Sequence, residues 1–420
     1  MPPPRFRACG VELKSRADHL KILHVIPAVA QRYGGPSQAV FEMCRAVQRR
    51  GADVLIATTD ADGPERLPLE TGKPVDYQGA QTIIFRRQWS QRFGYSLPLA
   101  LWLNDNVKNF DVVHIHAVFS HPCLAAARAC RKQGVPYIVR PLGSLDPWSM
   151  GQKPLRKRLM WHLAAGRMLH QAAAVHYTAR EEQQLAERSL GIGRGFVIPL
   201  GIEMEKLNSA ATTETFRQRH PLLGDMPYVL AMSRIHPKKN IELLIEVFLS
   251  LVKQPEFNQW RLVIAGEGEA EYKESLRSLV EEKGGAEKIL FPGWLDGSEK
   301  ASALQGAALF ALTSRQENFG LAVVESLACG VPVLVSNHVN LAPEIEESHL
   351  GWVTSLDPDN FSATLAEVLC NEDERNRRGQ AGRSFVTRQF SWTKLAAELT
   401  DLYLAVANGE SSFDNNYVTT

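Results

Sequence analysis

From Leu20 onward, short apolar runs alternate with longer segments in which apolar residues recur at helical spacing. Short runs bounded by turn residues read as buried strands, and the 3.6-residue period reads as helices packed against them. Strands are predicted at Lys21–Ile26, Val54–Ala57, Thr82–Phe85, Val112–His116, Val135–Val139, Ala174–Tyr177 and Phe196–Ile198. Helices are predicted over Pro36–Arg50, Pro122–Lys132 and Pro154–Gln171; in the first, Val40, Met43, Cys44 and Val47 share a face. The alternation then restarts beyond Pro199-Leu200-Gly201-Ile202 and a polar stretch through Thr215, which together suit a hinge. Strands follow at Tyr228–Met232, Arg261–Ala265, Ile289–Phe291, Ala308–Leu312 and Val331–Ser336. Helices follow at Asn240–Val252, Ala270–Lys283, Gly320–Cys329, Asp359–Cys370, Asp373–Gln389 and Trp392–Ala407.

Strand–helix–strand alternation gives parallel sheets with helices on both faces. The expected class is therefore α/β, with two Rossmann-like doubly wound domains at 19–200 and 201–390. A helix at 391–408 has no partner strand in the second sheet and is expected to cross back. The ends, 1–18 and 409–420, are expected to be disordered. No internal repeat is present.

Composition narrows the function. The 420 residues carry 47 Lys and Arg against 46 Asp and Glu, a net charge of +1, which argues against nucleic acid as a partner. The six cysteines, at 9, 44, 123, 130, 329 and 370, form no Cys-x-x-Cys pair, so neither a zinc site nor a redox dithiol is expected. Reduced thiols in a cytoplasmic protein are the expectation. There is no apolar run of membrane-spanning length, and the Pro- and Arg-rich start is not expected to be a secretory signal.

Three motifs fall where strand C-termini carry ligands in such sheets. Gly34-Gly35-Pro36 lies between a strand and a helix; it suits close approach of an anion, or simply a tight turn with Pro at the helix start. Ser233-Arg234-Ile235-His236-Pro237-Lys238-Lys239-Asn240 follows the first strand of the second half, with Asn240 expected as an N-cap. Arg234 and Lys239 suit a diphosphate; the alternative is a solvated basic loop. Glu317-Asn318-Phe319-Gly320-Leu321 leads into a helix carrying Glu325 among Ala322, Val323, Val324, Leu327 and Ala328. A carboxylate in that setting needs a partner, and a ribose diol offers two hydroxyl donors. The plainer alternative is a helix-start glutamate and an exposed one.

Together these residues resemble the retaining GT-B glycosyltransferases of family 4, from His19 to about Ala407. The ordered set is Gly34-Gly35, Arg234 with Lys239, the Glu317/Glu325 pair and Gly330-Val331-Pro332-Val333. Leu23-His24-Val25-Ile26-Pro27, His114-Ile115-His116 and Arg140-Pro141-Leu142-Gly143-Ser144-Leu145-Asp146-Pro147-Trp148 are similar to a subgroup that builds cell-surface polysaccharides, such as those of hormogonium polysaccharide synthesis. The resemblance implies two domains facing across a cleft and a hexosyl transfer from a nucleotide-diphosphate sugar. It implies no metal and no other cofactor.

By the same resemblance, Arg234 and Lys239 hold the diphosphate and stabilise the leaving group. Glu317 touches the donor sugar and Glu325 the ribose. Gly34 and Gly35 meet the phosphate. Gly293 and Trp294 flank the base, and Asn318, Phe319, Gly320 and Leu321 bring backbone N–H groups to the donor. His116 lines the reacting centre, its plainer reading being a packed strand-end histidine. The acceptor, a glycan or lipid-linked molecule, meets the first domain, with Arg140, Ser144 and Asp146 as candidates. Configuration is retained by same-face attack, the departing phosphate oxygen taking the acceptor proton. Ser233, Asn240 and Asn340-Leu341-Ala342-Pro343-Glu344 depart from the family's glycine pattern, which bears on the donor sugar.

Other features weigh against or beside this reading. Asp60-Ala61-Asp62 and Asp357-Pro358-Asp359 have the Asp-x-Asp form of a metal site but lie among turn residues. Gly266-Glu267-Gly268 opens like a dinucleotide fingerprint, yet Glu271 stands at its third glycine position. Lys153–His162 is basic with interleaved apolar residues, which suits peripheral contact with an anionic membrane, such as the inner face of the plasma membrane, or else a solvated helix face. A nucleotide-sugar 2-epimerase on the same plan and a non-catalytic sugar-binding protein are the competing functions.

Overall fold

Val112-Val113-His114-Ile115-His116 is buried at all its positions, as a parallel strand covered on both faces must be. The computed structural model describes residues 20–89, 93–192, 195–208 and 213–410. The tail at 1–18, and all but the first two residues of the tail at 409–420, lie outside the described residues. The chain forms two units, one running to Gly201 and resuming at Trp392, the other spanning Ile202–Ser391.

In the first unit the elements are β1 (Lys21–Ala28), α1 (Gly35–Gln48), β2 (Asp53–Thr59), β3 (Pro74–Tyr77), β4 (Ala80–Phe85), α2 (Leu97–Asn106), β5 (Val112–His116), α3 (His121–Gln133), β6 (Tyr137–Arg140), α4 (Pro154–Met160), β7 (Ala174–Tyr177), α5 (Arg180–Leu190) and β8 (Gly195–Val197). Their sheet has the order β8-β7-β6-β5-β1-β2-β4-β3. Every pairing is parallel except β3 with β4. The strand order turns back between β1 and β5, the mark of double winding. The helix predicted over Pro154–Gln171 is continuous but not uniform: α4 passes into a π-helical turn at Trp161–Ala165 and ends as Gly166–His170.

The C-terminal helix, Trp392–Ala407, belongs to this unit. Its Trp392 Nε1 donates to Glu42 of α1 at 3.2 Å, and its Tyr403 is fully buried. Each such buried side chain adds about 1.5–3 kcal/mol through the water it sheds.

The second unit contains β9 (Tyr228–Met232), α6 (Ile241–Leu251), β10 (Arg261–Ala265), α7 (Ala270–Glu282), β11 (Ile289–Gly293), α8 (Gly297–Gln305), β12 (Leu309–Leu312), α9 (Leu321–Ala328), β13 (Val333–Ser336), α10 (Ala342–Glu347), β14 (Gly351–Thr354), α11 (Pro358–Cys370) and α12 (Glu372–Gln389). The sheet is wholly parallel with the order β11-β10-β9-β12-β13-β14.

Helices α2, α5, α8 and α10 and strands β3 and β14 were not among the predicted elements. Most are short or carry few apolar positions, while α2 carries its apolar residues without a one-sided face. In α2 only Leu99 and Leu103 are buried, and its start is set by Ser96, whose Oγ accepts from Leu99 N at 3.3 Å.

Candidate functional site

In the second unit β9 and β12 are neighbours where the strand order reverses. Loops leaving two such strands diverge and open a crevice beyond the strand C-termini. The loop after β9 runs through Ser233–Asn240, and the loop after β12 through Thr313–Gly320. Hydrogen bonds join them: Arg315 N donates to Lys238 O at 2.9 Å, and Thr313 Oγ1 lies 3.0 Å from the carbonyl oxygens of Lys239 and Asn240. Lys239 is thereby buried, and its ammonium donates to a Glu317 carboxylate oxygen.

Glu317 is itself anchored, its N–H donating to His338 O and its carbonyl accepting from Asn340 N, both at 3.0 Å. Burial pushes the Glu317 carboxyl up, but the Lys239 charge and hydrogen bond, with Lys238 and Arg234, outweigh it and hold the group below the usual carboxylate range. Arg234 is exposed, and its guanidinium makes no hydrogen bond or ion pair among the described residues. Thus Arg234, Lys239 and Glu317 are brought together in one unit.

Asn240 stands at the N-cap position of α6 but does not cap it with its side chain. It takes the left-handed conformation, with φ 52°, after the tight turn Pro237–Lys239, and its side chain makes no cap hydrogen bond. Asparagine tolerates that conformation. Its Oδ1 instead accepts from the Arg315 guanidinium at 2.9 and 3.3 Å, a second stitch between the loops.

The Arg234 loop also rests on the loop after β10. Ser233 N donates to Ala265 O at 3.1 Å, and Ile235 N to Glu267 O at 2.8 Å. A Cβ on Gly266 or Gly268 would stand 1.8 or 1.9 Å from the Ser233 or Ile235 carbonyl oxygen. The two glycines permit this close backbone contact; Glu267 pairs with Lys273. Gly268→Ala is expected to lower unfolding stability by about 1–3 kcal/mol, because one loop must move. Urea unfolding checks this, and an unshifted midpoint would show the contact to be slack.

Gly320, with φ 77°, starts α9, while Phe319 is buried with its ring 5.6 Å from that of Phe390. Leu321 is the first residue of the helix, so the N–H groups around Asn318–Leu321 lie at its positive end. Glu325 is buried as its apolar flanks imply, and Lys300 of α8 donates to its Oε1 at 2.5 Å. No spacing in the sequence marks Lys300, because the pairing is made across two helices. Gln316, next to Glu317, is buried with neither amide atom bonded among the described residues, and the Asn340 Nδ2 is likewise unpartnered among them. Such orphaned groups beside a crevice call for water or a ligand. Gly293, with φ 84°, ends β11; its carbonyl accepts from Gly266 N at 2.7 Å, and the adjacent Trp294 is 39% exposed.

In the first unit, Gly34 has φ 75° and ψ −148° and sits immediately before α1, while Gly35 is the first helical residue. Ser37 N donates to Gly34 O at 3.1 Å. His116 ends β5, fully buried among His24, His114, His176 and Arg140. Arg140 is 1% exposed, so its guanidinium lies in the interior and does not face solvent as an acceptor contact would. Ser144 Oγ donates to Pro141 O at 2.6 Å, and Asp146 accepts from Trp148 N at 2.8 Å. Glu182, which the sequence did not single out, holds this loop by accepting from Gly143 N at 2.9 Å.

The histidines form two ordered chains. Ile198 O can only accept, so His176 Nε2 donates to it, at 2.7 Å. His176 Nδ1 then accepts from His114 Nε2, and His114 Nδ1 accepts from the Tyr403 hydroxyl at 2.8 Å. Likewise Arg140 donates to His116 Nδ1 at 3.5 Å, so His116 Nε2 donates to His24 Nδ1 at 2.9 Å. His24 Nε2 is left as a buried donor without a partner among the described residues. Burial, then the Arg140 charge, pushes His24 down to about 3; His176 is pushed to about 3 by the same causes against its bond to Ile198. His24, His114 and His116 offer nitrogens within 4.8 Å of one another, a grouping that could hold a metal ion. Hydrogen bonds engage every nitrogen of these three rings but His24 Nε2, and the guanidinium beside them opposes a cation, so the residues fit a hydrogen-bond network better than a metal.

The two acidic Asp-x-Asp motifs are also structurally engaged. Asp60 accepts from Arg87 N and pairs with Arg66, Asp62 pairs with Arg32, and Asp357 caps α11 through Asn360 N.

This fold, with its two doubly wound units, is that of the GT-B glycosyltransferases. The family described as "Glycosyl transferases group 1" matches residues 212–385, and "Glycosyl transferase 4-like domain" matches residues 34–201. The chain belongs to the group 1 glycosyltransferases of family 4. It is 28% identical to a phosphatidyl-myo-inositol mannosyltransferase of Mycobacterium leprae, over 90% of this chain and 95% of that one. A GDP-mannose:cellobiosyl-diphosphopolyprenol alpha-mannosyltransferase of Xanthomonas oryzae is 25% identical over 91% and 96%. With a GDP-mannose-dependent mannosyltransferase of Mycobacterium tuberculosis, also 28% identical, the match spans about half of each protein, 49% of this chain and 54% of the other. Among solved structures, Anabaena HepE, determined with UDP and glucose, has a TM-score of 0.73 at 19% identity, covering 92% of this chain and 100% of that one.

Proposed function

We propose that this chain transfers a sugar from a nucleotide-diphosphate donor to a glycan or lipid-linked acceptor, with retention of configuration, in the making of a surface polysaccharide. The observation that carries the reading is the meeting of Arg234, Lys239 and Glu317 on two stitched loops at the switch point of the second sheet. Arg234 takes two diphosphate oxygens and Lys239 adds a point charge. The start of α9 supplies N–H groups to the same anion. Glu317 and the unpartnered Gln316 and Asn340 amides take the donor's hydroxyls, and Glu325, held by Lys300, takes the ribose. The acceptor oxygen bonds to the anomeric carbon as the bond to the phosphate oxygen breaks, and the acceptor's proton passes to that oxygen. Names of relatives favour GDP-mannose as donor and a lipid-borne acceptor, while the likeness to HepE favours UDP-glucose.

A thermal-shift screen of UDP-, GDP- and ADP-linked sugars tests the donor site, since a ligand of the native state raises the melting temperature. No shift with any of them would remove the proposal. Turnover of a nucleotide sugar without acceptor would indicate the epimerase instead. Glu325→Ala is expected to weaken nucleoside-diphosphate binding by about 1–3 kcal/mol, the cost of one charged hydrogen bond. Unchanged calorimetric affinity would contradict its ribose role.

A further inference from the structure

The first two turns of α4 bury no side chain. Leu155, Leu159 and Leu163 are 82%, 60% and 73% exposed. A surface helix ordinarily turns its leucines inward. Here the inward face begins only at Ala165, Gly166, Met168 and Leu169. Spacing of four residues keeps the leucines on one side. The wider π-helical turn at Trp161–Ala165 brings Leu163 back over Leu159, where a uniform α-helix would let it drift round.

Lys153, Arg156, Arg158 and Arg167 are exposed on the same segment. Lys157 alone folds in, its ammonium 5.4 Å from the Phe119 ring centroid and bonded to Ser149 O. From Pro147 to Ala179 there are five Lys or Arg and no Asp or Glu. A second exposed apolar group, Trp89, Leu97 and Leu101, adjoins the same edge of the sheet. Its connecting residues meet the start of α3, with the Tyr95 ring 4.5 Å from that of His121 and Ser96 N donating to His121 Nδ1 at 3.3 Å. Phe119, beneath Lys157, lies two residues before His121.

We propose that this edge of the first unit docks onto an anionic phospholipid bilayer. The leucines and Trp89 enter the boundary between headgroups and acyl chains, and the exposed Arg and Lys meet lipid phosphates. Charge selects this occupant. A second copy of the chain, packed through the same patch, would set four exposed cations against four. The inference rests on the proposed function in that a lipid-linked acceptor lies in such a membrane.

Flotation of the full chain with phosphatidylcholine vesicles, with and without phosphatidylglycerol, tests it. The chain is expected to float only with the anionic vesicles and to be released by high salt. Leu155→Gln/Leu159→Gln/Leu163→Gln is expected to lower the bound fraction about tenfold, and Arg156→Ala/Arg158→Ala to remove most of the salt-sensitive part. Equal flotation of the leucine variant, equal binding to neutral vesicles, no flotation, or a dimer that the leucine variant dissolves would each overturn the proposal. Nucleotide-induced thermal shift, read in parallel, confirms that the variants fold. Loss of that shift in the native chain would defeat the donor reading without touching the flotation result.

Discussion

Lys239→Met is expected to lower turnover of a nucleotide-sugar donor by about 10²–10³-fold, the range for removing one preorganised charge from a site of developing negative charge. Donor affinity is expected to fall much less. Charge on the diphosphate peaks as the bond to the sugar breaks, so a cation aimed there acts mainly on the transition state. Lys239 is well placed for this because Thr313 holds its backbone carbonyl and Glu317 its ammonium. The same pairing is a complication, since the substitution leaves the half-buried Glu317 carboxylate without its cation. Lys239→Met/Glu317→Gln separates the two effects: it restores the balance of charge but not the lost contact with the leaving group. Steady-state kinetics and calorimetry on both variants decide. A loss of affinity as large as the loss of turnover would make Lys239 a binding residue only, and native turnover would refute the assignment.

Acidification from pH 7.5 to pH 5 is expected to destabilise the first unit by roughly 2 kcal/mol for each histidine that the fold keeps neutral, at about 1.36 kcal/mol per pH unit. The folded-state values of His24 and His176 lie at about 3, and those of His114 and His116 are also well below the ordinary value near 6.5. Above pH 6.5 both folded and unfolded chains leave these rings neutral, and the stability is fully present. Below it the unfolded chain binds protons that the folded chain refuses, so stability declines with falling pH until the folded values are reached. The geometry gives the reason: each acceptor nitrogen in the two chains faces a donor, and a proton there sets donor against donor beside the Arg140 charge. Because the rings share one network, their increments are not additive. Urea unfolding at the two pH values measures the total, and His24→Phe should flatten the slope by up to one proton. A midpoint that does not move between pH 7.5 and 5 would show that the rings are hydrated or already charged.

The strands and their order of appearance were legible along the chain because parallel strands buried on both faces leave dense apolar runs. Val112–His116, Arg261–Ala265 and Tyr228–Met232 begin and end in the structure where the pattern placed them. Short elements with few large apolar residues, such as α8 and β14, left no comparable trace. Glu325 announced that it needed a partner, since apolar residues surround it, but not that the partner is Lys300, twenty-five positions earlier. Asn240 had the composition of a cap, yet the turn before it forced a left-handed backbone and sent its side chain to Arg315. Arg140 read as a candidate acceptor contact at the start of a loop, and the structure makes it the last residue of β6, buried beside His116.

Periodicity and local turn chemistry are properties of neighbours in sequence, and from these alone follow two α/β units, their strands and the loops that carry the cations and carboxylates. Which charge meets which, and which rings share a proton network, depends on residues brought together from distant strands. The exchange of water for a protein partner takes place only when the sheet is assembled. Lys239 with Glu317, Glu325 with Lys300, and Tyr403 with His114 are therefore facts of packing.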